Sequence, residues 1–180
     1  IPQLSEAGYA VVAVDLPSFG FSTKSTTAEL TQANYATWLS ELMSMLDEEW
    51  NDDRPWRIVG HSMGASTAIT LADQFPQQVT SLTLIAPAIN QSNPSTGWVL
   101  YTPIGQGLKV ALRYALLTPS NFKSLLTGAM GRTPLDEEVT GYLKPFQVQG
   151  AIDALVRYVQ TAKNTTLDDV DLSLPVYVLW

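Results

Sequence analysis

The stretch Trp56-Arg57-Ile58-Val59-Gly60-His61-Ser62-Met63-Gly64 sets a serine between two glycines, where a short apolar run gives way to a small-residue helical pattern. Arg57-Ile58-Val59 reads as a strand, and Ala65 to Phe75 as a helix with small residues at Ala65, Ser66 and Ala68. A serine hydroxyl becomes a useful nucleophile when a sharp strand-to-helix turn exposes it beside the first N–H groups of the helix. Gly60 and Gly64 lack a Cβ and let strand and helix close around a strained residue, so a larger side chain at either position is expected to clash. A bare G-x-S-x-G arises by chance in about one chain in twenty of this length, so the surrounding pattern has to decide.

That pattern extends upstream and downstream. Tyr9 to Val14 reads as a strand and runs into Asp15-Leu16-Pro17-Ser18-Phe19-Gly20-Phe21-Ser22. Thr26-Thr27-Ala28-Glu29 has the capping-box arrangement. It is expected to open a helix from about Thr27 to Glu49 that carries Tyr35, Trp38, Leu39, Leu42 and Leu46 on one face. After the serine helix, Val79 to Pro87 and Leu174 to Trp180 read as strands. Strand, helix, strand, helix, strand is the alternation of a parallel sheet covered on both faces.

Taken together, these segments resemble the α/β-hydrolases, in which a D-x-P-G-x-G-x-S loop precedes the nucleophile elbow by a few tens of residues. Ser18 stands where that loop usually has glycine. The resemblance covers nearly the whole chain and implies an α/β-hydrolase fold, a mostly parallel sheet with helices on both faces and a helical cap. It assigns Ser62 as nucleophile, the Met63 N–H as an oxyanion donor, and Gly60, His61 and Gly64 as the elbow's support.

A serine of this kind needs a histidine to take its proton and a carboxylate to orient the histidine. The one histidine is His61, inside the elbow, where strand-end alternation turns its side chain away from that of Ser62. It is therefore expected to be an elbow residue and not the base. The carboxylates have other readings: Asp15 fixing its own loop through backbone N–H groups, Asp73 on a helix face, and Asp168, Asp169 and Asp171 in a solvated linker. Some relatives carry the acid after the strand ending near Ala86, but here that segment is Pro87-Ala88-Ile89-Asn90, without a carboxylate. General base and acid are thus expected outside this sequence, the acid after Trp180. The chain opens without methionine at Ile1-Pro2-Gln3-Leu4 and stops within an apolar run at Trp180, and it reads as an internal fragment.

Ala88 to about Ser173 interrupts the alternation with a cap-sized insertion. It has a polar loop at Asn90 to Gly97 and helical patterns at Gly107 to Leu117, Asn121 to Met130, Asp136 to Leu143 and Ala151 to Ala162. In the last of these, Ile152, Leu155, Val156 and Val159 share a face. The expected organisation is a partial core at 1–87, a helical cap at 88–173 and a returning core strand at 174–180. Trp98, Tyr101, Phe122, Met130, Phe146 and Tyr158 are the large cap side chains that either line a substrate pocket or form the cap's own small core.

With 180 residues, of which 46% are hydrophobic and 15% charged, the chain can bury one sizeable core. A net charge of −7 without any lysine or arginine cluster argues against nucleic acid and anionic membrane as partners. The apolar stretch from Trp98 to Leu117 is broken by Lys109 and Arg113, so no membrane span is expected. There is no cysteine, which fits any compartment, with the cytoplasm as the default. Asn90-Gln91-Ser92 and Asn164-Thr165-Thr166 match the glycosylation pattern, as short polar segments often do.

The expectation from the sequence is a serine hydrolase acting on a small-molecule ester or another acyl-type bond, carbon–carbon bond hydrolysis included, with no metal and no organic cofactor. The alternative is a catalytically inactive hydrolase fold serving as a ligand-binding or interaction module.

Overall fold

The computed structural model describes residues 1–89, 117–161 and 170–180. Its centre is a three-stranded parallel sheet in the order β1 (Trp56–His61), β2 (Val79–Ile85), β3 (Val176–Leu179). In register, Gly60 pairs with Leu84 and His61 with Ile85, and Ile85 pairs with Leu179. The carboxyl ends of all three strands therefore lie side by side, with Ser62 at the end of β1. Parallel strands need crossovers. The one between β1 and β2 is helix α3 (Met63–Gln74), followed by a short 3₁₀ turn at Pro76–Gln78.

Helix α3 has Ala65, Ser66, Ala68 and Ala72 where a larger residue would hold it off, and all four are buried. These small side chains let it lie against the sheet and against α2 (Gln32–Trp50). Ala36 and Met43 of α2, Ile69 and Leu71 of α3, and Val79, Leu82 and Leu84 of β2 form one buried cluster, with Trp56 and Ile58 packed at its margin. Sealing it, the Trp56 indole N–H donates to Asp47 Oδ1 at 2.8 Å. β3 is exposed along its whole length.

Helices α4 (Pro119–Met130), α5 (Asp136–Leu143) and α6 (Ala151–Thr161) fall within the insertion. The sequence pattern anticipates all three to within two residues. In α6 the buried face is Ala151, Ile152, Ala154 and Val156, whereas Val159, expected on that face, is 43% exposed. Phe122 and Leu126 of α4 pack on Val139 and Leu143 of α5 in a second, separate cluster. A short α1 (Pro2–Glu6) precedes the segment expected as the first strand.

Two expectations require correction. Tyr9 to Val14 joins no ladder: none of β1, β2 or β3 runs beside it, and without a partner an extended run is not a strand. Tyr9, Val12 and Val14 are accordingly exposed, with the Arg57 guanidinium 5.3 Å from the centre of the Tyr9 ring. Helix α2 starts at Gln32 and not near Thr27, and its cap is Thr31, whose side chain accepts from Asn34 N. The Thr26–Glu29 capping box does not form: Ser25 Oγ accepts from Thr27 N at 3.4 Å and Ala28 N at 2.9 Å, and the Thr27 and Ala28 carbonyls are bonded to α6. Arg157 donates from Nε to Ala28 O at 2.9 Å and from Nη2 to Thr27 O at 3.1 Å, and Thr161 Oγ1 accepts from Leu30 N at 3.0 Å.

Gly107 to Leu116, the Asn90 and Asn164 motifs, and Asp168 and Asp169 lie outside the described residues.

Candidate active site

Ser62 is the hinge between β1 and α3. Its φ of 51° and ψ of −117° fall in a region that L-residues rarely occupy, and such strain persists only where surrounding structure fixes it. The fixing contacts come from the end of β2 and from the first turn of α3. Ser62 N donates to Ile85 O at 3.0 Å, and Ser62 O accepts from Ala88 N at 3.1 Å and Ala65 N at 3.0 Å. Although Ser62 sits at the N-cap, its side chain makes no capping hydrogen bond, so the hydroxyl is not tied to the helix it precedes. Met63, the first residue of α3, holds its N–H where the helix dipole is positive.

The two glycines of the motif differ. A Cβ on Gly60 would lie 2.5 Å from Gly64 O, 2.6 Å from Ala65 Cα and 2.7 Å from Ala65 N, so glycine is required there. A Cβ on Gly64 would meet no described atom within 4 Å, and its φ is not positive, so the clash expected at Gly64 does not occur among the described residues. Gly64 sits inside α3, where its β-carbon direction is open. His61 is an exposed residue at the end of β1.

The loop at residues 15–22 is built on one carboxylate. Asp15 Oδ2 accepts from Phe21 N at 2.8 Å, Asp15 O accepts from Ser22 Oγ at 2.6 Å, and Gly20 has a φ of +48°. A Cβ on Gly20 would fall 1.9 Å from Asp15 Cγ. Ser18 takes a φ of 75°, the backbone conformation a glycine would adopt, and buries its hydroxyl against Ser25 N at 3.2 Å. Ser18 thus holds the positive φ that glycine adopts most readily. Lys24 Nζ bonds Phe19 O at 2.9 Å and Gly20 O at 2.5 Å, and burial pushes its pKa down against the opposing pull of Asp15.

Between this loop and helices α5 and α6 lies an open cavity of about 470 Å³, lined by Asp15, Phe19, Lys24, Tyr142, Phe146 and Leu155 among others. Ser62 is not one of its lining residues. Of the side chains expected to line a substrate pocket, Trp98 and Tyr101 lie outside the described residues. Phe122 is corrected: at 4% exposed it is used up in the α4–α5 cluster, and Met130 packs on the same cluster. Phe146 packs there too but also faces the cavity. Tyr158 sits edge-on to Phe19, with ring centres 5.1 Å apart. Phe19 in turn lies 6.4 Å from Tyr35, a fully buried ring whose hydroxyl donates to Pro17 O at 3.2 Å. Burial, with Tyr158 nearby, raises the Tyr35 pKa.

Sequence patterning did not identify Ser66 and Ala88 as supports of Ser62, because their contact with the elbow joins two segments distant in sequence. Among the described residues, no group of three or more His, Asp or Glu is placed to hold a metal ion. No described helix is long and apolar enough to cross a membrane.

Comparisons with known proteins bear on the fold. The chain is 28% identical over 163 residues to the uncharacterized hydrolase YugF of Bacillus subtilis, covering 89% of this chain and 56% of YugF. It is 37% identical over 93 residues to methylesterase 7 of Arabidopsis thaliana, covering 51% of this chain and 35% of that enzyme. The structure superposes on a probable hydrolytic enzyme of Pseudomonas aeruginosa PAO1 with a TM-score of 0.72 and 21% identity, over 97% of this chain and 56% of that one. The chain therefore spans little more than half the length of YugF and of the Pseudomonas enzyme, and about a third of methylesterase 7. A family model described as the alpha/beta hydrolase fold matches residues 1–103, and the chain belongs to the α/β-hydrolase fold family.

Proposed function

We propose that this chain carries the nucleophile of a serine hydrolase that cleaves carboxylic esters of small molecules. The observation that carries it is the backbone of Ser62, held at φ 51° and ψ −117° at the junction of β1 and α3 with no capping bond on its side chain. Family membership makes the chain a hydrolase fold, and the methylesterase relative favours an ester over a carbon–carbon bond.

In the mechanism, Ser62 Oγ attacks the ester carbonyl while a histidine of the intact protein, outside this sequence, accepts its proton. The tetrahedral oxyanion forms against the Met63 N–H at the start of α3, where a preorganised donor is worth more than in water. The intermediate collapses, the same histidine protonates the departing alcohol, and the acyl group stays on Ser62. Water, deprotonated by that histidine, then releases the acid and regenerates the serine. An aspartate following Trp180 orients the histidine in this scheme. Residues 1–87 and 174–180 act as core and 88–173 as the cap; Phe146 and Tyr158 are its candidate pocket side chains. Trp98 and Tyr101 are further candidates.

A fluorophosphonate probe applied to the intact protein tests the proposal. Labelling at Ser62 that disappears in Ser62→Ala supports it, and a folded protein that resists the probe overturns it. One observation favours a binding module instead: the chain's single histidine, His61, sits in the elbow itself. Tight binding of a small ester without turnover by the intact, unlabelled protein is the outcome that reading requires.

A further inference from the structure

Ser62 is bonded through its own N–H and C=O to the segment that ends β2, and that segment is bonded in turn to one buried side chain. Ser62 N donates to Ile85 O at 3.0 Å, and Ala88 N donates to Ser62 O at 3.1 Å. The carbonyl of the same Ala88 accepts from Ser66 Oγ. Ser66 lies one turn beyond Ser62 on α3 and is 3% exposed. The strand β2 ends at Ile85, and the chain then turns through Ala86, whose φ of 40° is unusual for a residue with a Cβ. Between Ile85 and Ala88, therefore, the chain bends sharply and is stitched back onto α3 from both of its polar backbone groups at Ala88. Ile89, the next residue, packs on the main hydrophobic cluster.

We propose that Ser66 is a positioning residue for the nucleophile. Its hydroxyl holds Ala88 by the carbonyl, so that the Ala88 N–H stays aimed at Ser62 O and the strained backbone of Ser62 keeps the torsions that present Oγ to a substrate. A strained conformation relaxes unless its surroundings over-determine it. Of the contacts that fix Ser62, the one through Ala88 alone depends on a side chain. Removing the Ser66 hydroxyl also leaves the half-buried Ala88 carbonyl without this donor, and losing the bond loosens the segment that bears it. The same segment opens the 88–173 insertion, so Ser66 couples the entry of that insertion to the elbow. The inference rests on the reading of Ser62 as nucleophile.

The test compares the intact wild-type protein with Ser66→Ala under conditions where both are folded. The measurements are the rate of fluorophosphonate labelling at Ser62, kcat and KM on p-nitrophenyl acetate, and hydrogen exchange of the Ala88 amide. The expected result is a roughly tenfold fall in labelling rate and kcat, since small misplacements of a reacting group cost that much or more. KM stays within about twofold, because the substrate's binding surface is untouched, and the Ala88 amide exchanges faster. A folded Ser66→Ala that labels at the wild-type rate overturns the inference. So does a slower rate with unchanged exchange at Ala88, since the effect would then not run through that residue. If Ser66→Ala does not fold, Ser66→Cys replaces it, being similar in size and a weaker donor: a smaller fall in the same direction supports the inference, and none overturns it. Wild-type protein that is never labelled defeats the hydrolase reading itself, and this inference with it. Labelled wild type beside an unaffected Ser66 variant defeats only the role of Ser66.

Discussion

A β-carbon at Gly60 would stand 2.6 Å from Ala65 Cα, so strand β1 and helix α3 approach each other at a distance that only glycine allows. Both sides of that contact are backbone, which cannot rotate away. Gly60→Ala is therefore expected to destabilise the protein by about 3 kcal/mol, the upper end of the range for overpacking with backbone displacement. Gly64→Ala, with nothing within 4 Å of its Cβ, should be neutral or stabilising by up to about 1 kcal/mol through helix propensity. Urea melts of the two variants check the pair, and equal losses would refute the asymmetry.

Ser62 supplies a second contrast. Because its φ is 51° and ψ −117°, any residue with a Cβ is strained there, by about 1–3 kcal/mol. Ser62→Gly is expected to be more stable than Ser62→Ala by about 1 kcal/mol, although both lose fluorophosphonate labelling. Stability rising while labelling vanishes is the signature of a conformation kept for chemistry. Ser62→Ala as stable as Ser62→Gly would mean that the strain is absent.

How much of this was legible beforehand follows from what each feature depends on. The elbow was readable because local residues dictate it: Gly60 and Ser62 lie two positions apart in the chain. Helices α4, α5 and α6 were readable from periodicity and from proline and acidic residues at their starts. Tyr9 to Val14 misled because its unbroken run of apolar and β-branched residues states a propensity, whereas strand formation needs a neighbour. The Thr26–Glu29 motif misled because the segment is bonded to residues about 130 positions away, the Thr27 and Ala28 carbonyls to Arg157 and the Leu30 N–H to Thr161, instead of turning into a helix. Gly64 looked required only by its symmetry with Gly60 about the serine. Phe122 was open between two readings, since an aromatic on a helix face is the same letter whether it meets a ligand or a neighbouring helix.

The Thr161–Leu30 contact gives a third prediction. Leu30 is fully buried, and its N–H donates to Thr161 Oγ1 at 3.0 Å. Thr161→Val keeps the shape and removes the acceptor, which leaves a buried donor unpaired and should cost about 1–3 kcal/mol. Thr161→Ser retains the oxygen and should lose much less. Chemical denaturation of both variants separates the lost bond from lost packing; a valine variant as stable as the serine one would show that the bond contributes nothing.

The last prediction concerns acid. Glu138 accepts from both Arg132 terminal nitrogens, at 2.9 and 2.6 Å, and from Leu135 N at 2.8 Å, closing the start of α5. The Arg132 hydrogen bonds foremost, with the Leu135 N–H second, hold its carboxyl at about 2 against an ordinary value of 4.5. A folded-state value below the unfolded one means that the ionised form stabilises the fold. That contribution is fully present above about pH 4.5 and is lost as the pH falls through about 2. The melting temperature of Glu138→Gln should accordingly lie below wild type at neutral pH, with the gap narrowing between those two values and closing beneath the lower one. Asp136, lowered by its bond to Lys123, and Asp52, lowered by Arg54, are the same in both proteins, so they cancel in the difference. Because the pair is solvated, added salt should shrink the neutral-pH gap as well. A gap that stays constant from neutral to strongly acidic pH would mean that shape, and not the charge on Glu138, holds the start of α5.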